Sequence, residues 1–179
     1  MDRTRLATLI ADISTLSGQF TLRSGATTTT YFDKYRFEAD PVLLKAIAEH
    51  LAACIPPGTE ALAGLELGGV PLATALSLHT GLPAVFVRKR AKEYGTRRLA
   101  EGSEVRGKRL LVVEDVVTSG GQVVASVQQL RDLGATVTHA VCVIDREAGG
   151  APALRDAGIE LQSLFRRSDL DDAIERQRG

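Results

Sequence analysis

The chain has 179 residues, 44% of them hydrophobic, which fits one domain (1–179) with enough interior for a buried sheet. Its 22 basic and 22 acidic residues cancel and only 4% of residues are aromatic, which argues against nucleic-acid binding as the main role. There is no signal peptide and no apolar run long enough to span a bilayer, which argues against a membrane role and predicts a cytoplasmic enzyme.

The N-terminus reads as an amphipathic helix, with Leu6, Leu9, Ile10, Ile13 and Leu16 along one side. A second helix is predicted over Pro41–Cys54, where Leu43, Leu44, Ile47 and Leu51 share a face, and the Pro56-Pro57-Gly58 turn ends that segment. A short strand follows at Ala61–Leu65, then the Leu67-Gly68-Gly69 loop and a helix opened by Pro71. Gly81 and Leu82-Pro83 separate that helix from a strand at Ala84–Val87. After a basic loop, Arg106-Gly107-Lys108 turns into an interior strand at Leu110–Val113. An amphipathic helix follows over Gln122–Leu133, stopped by Gly134, and then a strand over Val137–Ile144. Alternation of β and α predicts an α/β fold: a parallel sheet flanked by helices on both faces. Cys54 and Cys142 have no paired spacing with each other or with His50, His79 and His139, so they read as small core residues rather than as a disulfide or a zinc site.

The most informative stretch is Leu110–Gly121, LLVVEDVVTSGG. A valine-rich run that short fits an interior strand of a parallel sheet, and it sets Glu114 and Asp115 at its C-terminal end, where open α/β sheets bind ligands. Two carboxylates there can accept hydrogen bonds from vicinal ribose hydroxyls or face a hydrated Mg²⁺. Thr118, Ser119, Gly120 and Gly121 add hydroxyls and an unobstructed backbone whose N–H groups can converge on a phosphate at the start of the next helix. Either half alone also fits a solvated turn with a helix cap. The order and spacing of the whole are what make it specific.

Positive charge is concentrated between Arg88 and Arg98, which holds six basic residues and one acid. A glycine-containing basic loop after an apolar strand suits an anion of several charges, such as a diphosphate leaving group. A solvated loop and a nucleic-acid contact are the competing readings.

The acidic pair, hydroxyl/glycine turn and helix start resemble the phosphoribosyl pyrophosphate (PRPP) motif of type I phosphoribosyltransferases, here Val112 to Gly121. Further blocks resemble the orotate-specific branch of that family. Phe20 to Gly25 with Tyr31-Phe32-Asp33 is similar to its substrate-covering segment, Gly64–Pro71 to its pyrophosphate-side loop, Arg88 to Gly95 with Glu101-Gly102 to its mobile loop, and Ile144-Asp145-Arg146-Glu147 to the strand end that supplies an arginine to the base.

The resemblance implies the type I phosphoribosyltransferase fold, with a small hood formed by the N- and C-terminal segments. It also implies Mg²⁺-dependent transfer of 5-phosphoribosyl from PRPP to orotate, giving orotidine 5′-phosphate and pyrophosphate in UMP biosynthesis. Lys92 and Asp115 are the implied catalytic residues. PRPP binding falls to Arg88, Lys89, Lys92, Tyr94, Glu114, Asp115, Val116, Val117, Thr118, Ser119, Gly120, Gly121 and Gln122, and orotate binding to Arg23, Thr118 and Arg146. Mg²⁺ would be held mainly by substrate and water, with no dedicated metal ligand in the chain. A homodimer with shared active sites is implied, the Arg88–Gly102 loop reaching the neighbouring site.

The chain departs from many bacterial relatives at three places: Arg23 stands for lysine, Tyr94 for histidine, and Gly68 lies where a basic residue is common. Glu66 has no role at this level. Arg146 suits the orotate carboxylate because a guanidinium fork matches it; a surface pair with Asp145 is the alternative. A phosphoribosyltransferase for a purine or uracil, and a PRPP-sensing regulator, are the rival functions.

Overall fold

The computed structural model describes residues 1–21, 25–90 and 99–178. Helix α1 (Arg3–Ser14) starts at Asp2, whose carboxylate accepts from the Arg5 N–H at 2.9 Å. Its apolar stripe ends at Ser14 rather than continuing to Leu16. Leu16 belongs to β1 (Thr15–Thr21), which pairs antiparallel with β2 (Thr27–Phe32). This hairpin was not among the expected elements. The β-branched threonines of β2 suit a pleated surface better than a helix, and the Phe20 and Tyr31 rings meet across it at 5.4 Å. A short helix, α2 (Tyr35–Ala39), leads into α3 (Pro41–Ala52), capped by Asp40 with Pro41 in its first turn.

The remaining chain alternates: β3 (Ala61–Leu65), α4 (Gly69–Thr80), β4 (Ala84–Val87), β5 (Ala100–Gly102), β6 (Arg109–Val117), α5 (Gly121–Asp132), β7 (Thr136–Asp145), α6 (Gly150–Asp156), β8 (Glu160–Arg166) and α7 (Arg167–Arg178). The sheet order is β5-β4-β3-β6-β7-β8. All neighbours are parallel except β5, which returns antiparallel along β4 and makes the expected parallel sheet a mostly parallel one. From β3 the chain steps to β4 on one side and later to β6 on the other. The order therefore reverses between β3 and β6, which opens a crevice at their C-terminal ends.

Side-chain alternation splits the core in two. Leu62, Leu111, Val113, Val141 and Val143 face α1, α3, α4 and α7, whereas Ala61, Ala63, Leu110, Val112, Ala140 and Cys142 face Val123, Val127 and Leu130 of α5 and Leu154 of α6. The N- and C-terminal segments come together: Arg3 donates to the Leu164 carbonyl at 2.8 Å and to Asp169 at 3.0 Å, and lies over the Phe165 ring.

One boundary matters for the site. β6 extends past Val113 to Val117, because Val116 and Val117 still pair with Ile144 and Asp145 of β7. Glu114 and Asp115 therefore sit inside the strand's last turn of pleat and not beyond its end.

Candidate active site

Placement inside the strand buries the acidic pair: Glu114 is 9% exposed and Asp115 fully enclosed. Asp115 Oδ1 accepts from the Val116 N–H at 2.5 Å, and Oδ2 is paired with Lys34 Nζ at 2.5 Å. The Asp115 N–H in turn donates to Glu114 Oε1 at 3.2 Å. Lys34 precedes α2, and one helical turn on, Glu38 brings a third, buried carboxyl to Asp115. The loop after β3 closes the group from below. A Cβ at Gly68 would land on Asp115 Oδ2 and lie 2.8 Å from Glu38 Oε1, so this position accommodates only glycine.

Charge in this cluster follows from burial. Desolvation, reinforced by Asp115, pushes Glu114 up to about 9 and Glu38 up to about 8. Burial also pushes Asp115 upward, but the hydrogen bonds from Glu114, Glu38 and Lys34 outweigh it and hold its pKa below the ordinary carboxylate value. For Lys34, burial lowers the pKa and Asp115 more than restores it. At neutral pH the cluster is one carboxylate, one ammonium and two protonated carboxyls.

Past β6 the chain becomes exposed at Thr118 and Ser119 and turns at Gly120, whose φ of 79° is left-handed. Gly120 caps α5 without a side chain, its carbonyl accepting the first helical bond from the Val124 N–H at 3.0 Å. The N–H groups of Gly121, Gln122 and Val123 have no helical partner by geometry and point out of the helix start, an arrangement that favours an anion. These residues line a cleft of about 210 Å³ together with Lys34, Glu66, Lys89, Glu114, Val116 and Val117. A wider depression of about 540 Å³ lies near the N-terminal ends of β7 and β8, with Thr138, His139, Arg155 and Glu160 on its walls, but it lies away from the crevice between β3 and β6.

Beside the cleft, the Arg146 N–H donates to the Val117 carbonyl at 2.8 Å, so the end of β7 stands against the end of β6. The surface pair with Asp145 does not form: Asp145 accepts from the Glu147 N–H at 2.9 Å, and Glu147 accepts from the Ser168 N–H at 2.9 Å. Arg146 is exposed and its guanidinium makes no ion pair among the described residues. Burial of part of the side chain, and then the charge of Arg167, lower its pKa.

The described part of the basic segment is anchored at its root. The Arg88 N–H donates to the Leu99 carbonyl at 2.9 Å, and Glu66, without a role in the sequence reading, accepts from the Lys89 N–H at 2.9 Å. Lys89 lines the cleft, whereas Arg88 is absent from its walls and has a buried Nε without a hydrogen-bond partner among the described residues. Arg23, Lys92 and Tyr94 lie outside the described residues. The structure thus brings together Lys89 and residues 114–122 and sets Arg146 beside them. Sequence reasoning missed Lys34 and Glu38. Their i, i+4 spacing is visible in the chain, but it reads as an ordinary exposed helix pair.

The model of the phosphoribosyl transferase domain matches residues 39–158. An orotate phosphoribosyltransferase from a Nocardioides species is 52% identical over 172 residues, covering 94% of this chain and 96% of its own. One from Halobacterium salinarum is 49% identical over 156 residues, covering 87% of this chain and 89% of its own. Among solved structures, orotate phosphoribosyltransferase of Mycobacterium tuberculosis bound to Fe(III) dicitrate superposes with a TM-score of 0.85 at 36% identity, covering 95% of this chain and 99% of that one. The same enzyme in complex with PRPP superposes with a TM-score of 0.81 at 33% identity, covering 96% of this chain and 99% of that one. With this motif, this sheet order and these likenesses, the chain belongs to the phosphoribosyltransferase family, in its orotate phosphoribosyltransferase branch.

Proposed function

We propose that the protein transfers the 5-phosphoribosyl group from PRPP to orotate, releasing pyrophosphate and forming orotidine 5′-phosphate in pyrimidine synthesis. The observation that carries this reading is one cleft lined by Glu114, Lys34 and Lys89 and by a helix start with free N–H groups, with Asp115 buried directly behind Lys34. In the reaction the bond from the anomeric carbon to the diphosphate breaks and a bond to the ring nitrogen of orotate forms, with positive charge building on that carbon between the two events. Residues that hold the ribose in line, neutralise the leaving diphosphate and exclude water lower that barrier.

In this scheme Thr118, Ser119, Gly120, Gly121 and Gln122 cradle the 5′-phosphate, with Val116 and Val117 forming the adjoining wall. Glu114 and Asp115 accept hydrogen bonds from the ribose hydroxyls. Lys89 stands at the diphosphate end, where Arg88, Lys92 and Tyr94 are assigned by the same resemblance. Arg146, with Arg23, receives the orotate carboxylate, and Thr118 lies between the two substrates. The donor chemistry fits a magnesium ion carried mainly by substrate oxygens and water, because Asp115 is already paired with Lys34 and Glu114 favours its protonated form. Such an ion would supply charge neutralisation on the diphosphate.

Residues 1–179 acting as a single domain, and two copies sharing sites through the Arg88–Gly102 loop, are parts of the same proposal. So is a cytoplasmic location, which the free thiols of Cys54 and Cys142 suit. The direct experiment is incubation with PRPP, Mg²⁺ and a panel of free bases. Orotate should be consumed and pyrophosphate released only with Mg²⁺ present. Turnover of hypoxanthine, guanine or uracil with orotate inert would overturn the assignment. Sharing of sites is read by exchanging subunits between Lys92→Ala and Asp115→Asn chains: random pairing should restore roughly a quarter of wild-type sites, and proven exchange without recovery would exclude it.

A further inference from the structure

We propose that Lys34 is a PRPP-binding residue, which rests on Asp115 when the cleft is empty and turns to the diphosphate of PRPP when the ribose hydroxyls take up that carboxylate. The inference rests on the reading of the cleft as a PRPP site, and it assigns a role to a residue outside the PRPP motif.

Three observations lead to it. First, Lys34 Nζ lies 2.5 Å from Asp115 Oδ2 and Lys34 also lines the cleft, so its ammonium stands between the buried carboxylate and the ligand space. Second, the neighbouring loop has no room for a cation of its own: a Cβ at Gly68 would fall on the same Asp115 Oδ2 that Lys34 holds. A cation beside Asp115 must therefore come from another segment, and Lys34, just before α2, supplies it, on the cleft that Lys89 also lines. Third, the cluster is poised for exchange. With Glu38 and Glu114 pushed up to about 8 and about 9, Asp115 is the charged carboxylate facing Lys34 at neutral pH. The pair has no excess charge to attract a multiply charged anion until the ammonium is freed. A ribose hydroxyl donating to Asp115 weakens its hold on Lys34, and a diphosphate offers the ammonium a denser negative charge within reach of a flexible four-carbon stem.

Lys34→Gln tests this with the least structural damage, because the amide still donates to Asp115 while the charge is lost. Lys34→Arg keeps the charge. Affinity for PRPP with Mg²⁺ is measured by titration calorimetry, KM is measured for both substrates, and thermal unfolding checks the fold. The expected result for Lys34→Gln is a rise of roughly tenfold in both Kd and KM for PRPP, the loss of one charged contact. Its KM for orotate should stay within about twofold, the melting temperature should be near wild type, and most of the affinity should return in Lys34→Arg.

The decisive arm repeats Lys34→Gln in an Asp115→Asn background. A further loss of PRPP affinity there supports a direct contact. No further loss shows that Lys34 acts only through Asp115 and overturns the proposal, as does an unchanged PRPP affinity in the single variant. Wild-type protein that fails to bind PRPP overturns the reading of the cleft itself, and the proposal with it.

Discussion

Two neighbouring strand ends of the same sheet are built alike and used differently. β6 carries Glu114-Asp115 in its last residues, ends at Val117 and leads through a turn to α5, capped by left-handed Gly120; β7 ends in Asp145 and leads through Arg146 and Glu147 to α6, capped by left-handed Gly149. At the first junction the carboxyls are buried against one another and Lys34, so their chemistry is held in store for a ligand. At the second, the carboxylates of Asp145 and Glu147 accept from backbone N–H groups, and the arginine between them makes no ion pair among the described residues. The lesson is that a strand-end acidic residue is not defined by its type. Backbone donors reach both junctions, since Asp115 accepts from the Val116 N–H and Glu114 from the Asp115 N–H; what sets the first apart is the Lys34 ion pair on its enclosed carboxylate. The two junctions also touch: Arg146 N–H bonds to the Val117 carbonyl, and the space above Gly120 is closed by Leu154 and Gly150.

The largest expected effect breaks the comparison at its first member. Asp115→Asn removes the one ionised carboxyl of its cluster and should lower kcat/KM for PRPP by about 3 kcal/mol, roughly a hundredfold. Circular dichroism should be unchanged. Wild-type kinetics in this variant would remove Asp115 from the site.

The pH dependence of stability separates the junctions next. Glu38 and Glu114 have folded-state pKa values raised from 4.5 to about 8 and about 9. The folded state thus binds more protons than the unfolded one above pH 4.5, and stability must fall as pH rises through that window. Melting of the substrate-free protein between pH 5 and 8 should show this fall, and Glu38→Gln should flatten it by up to about 1.4 kcal/mol per pH unit. A slope that Glu38→Gln leaves untouched would contradict a raised pKa at Glu38.

Gly120→Ala tests the turn. The residue would need a left-handed φ of 79° and its Cβ would meet Leu154 Cδ1 at 2.5 Å, so it should cost about 2 kcal/mol of stability and weaken PRPP binding. Unchanged stability would mean that the cap can reshape without loss. The smallest effect is expected for Glu66→Gln, which exchanges a charge-assisted bond to the Lys89 N–H for a neutral one. A loss of about 1 kcal/mol or less in kcat/KM is expected, and a larger one would give Glu66 a role beyond holding the root of the basic segment.

Much of this was legible beforehand because it is local. The alternation of valine-rich strands and helices, the helix stop at Gly134, and the order of acidic pair, hydroxyls and glycines each lie within a few consecutive residues. What escaped was long-range. Leu110–Val113 reads as a complete strand until pairing with Ile144 and Asp145 extends it and buries Glu114 and Asp115. Lys34 and Glu38 look like solvent-facing residues until the segment after β2 is folded onto a strand far away in sequence. Gly68 looks like a lost cation, and only the carboxylate above it shows that no side chain fits. Glu66 accepts from the Lys89 N–H, a contact invisible in either segment alone.

The division of labour between the two junctions is tested most directly by the steady-state kinetics of Arg146→Ala with both substrates varied. The account predicts that KM for orotate rises by the worth of one charged contact, about 1.5–3 kcal/mol or roughly 10- to 150-fold, while KM for PRPP stays within about twofold. Equal increases in both, or no change for orotate, would contradict it.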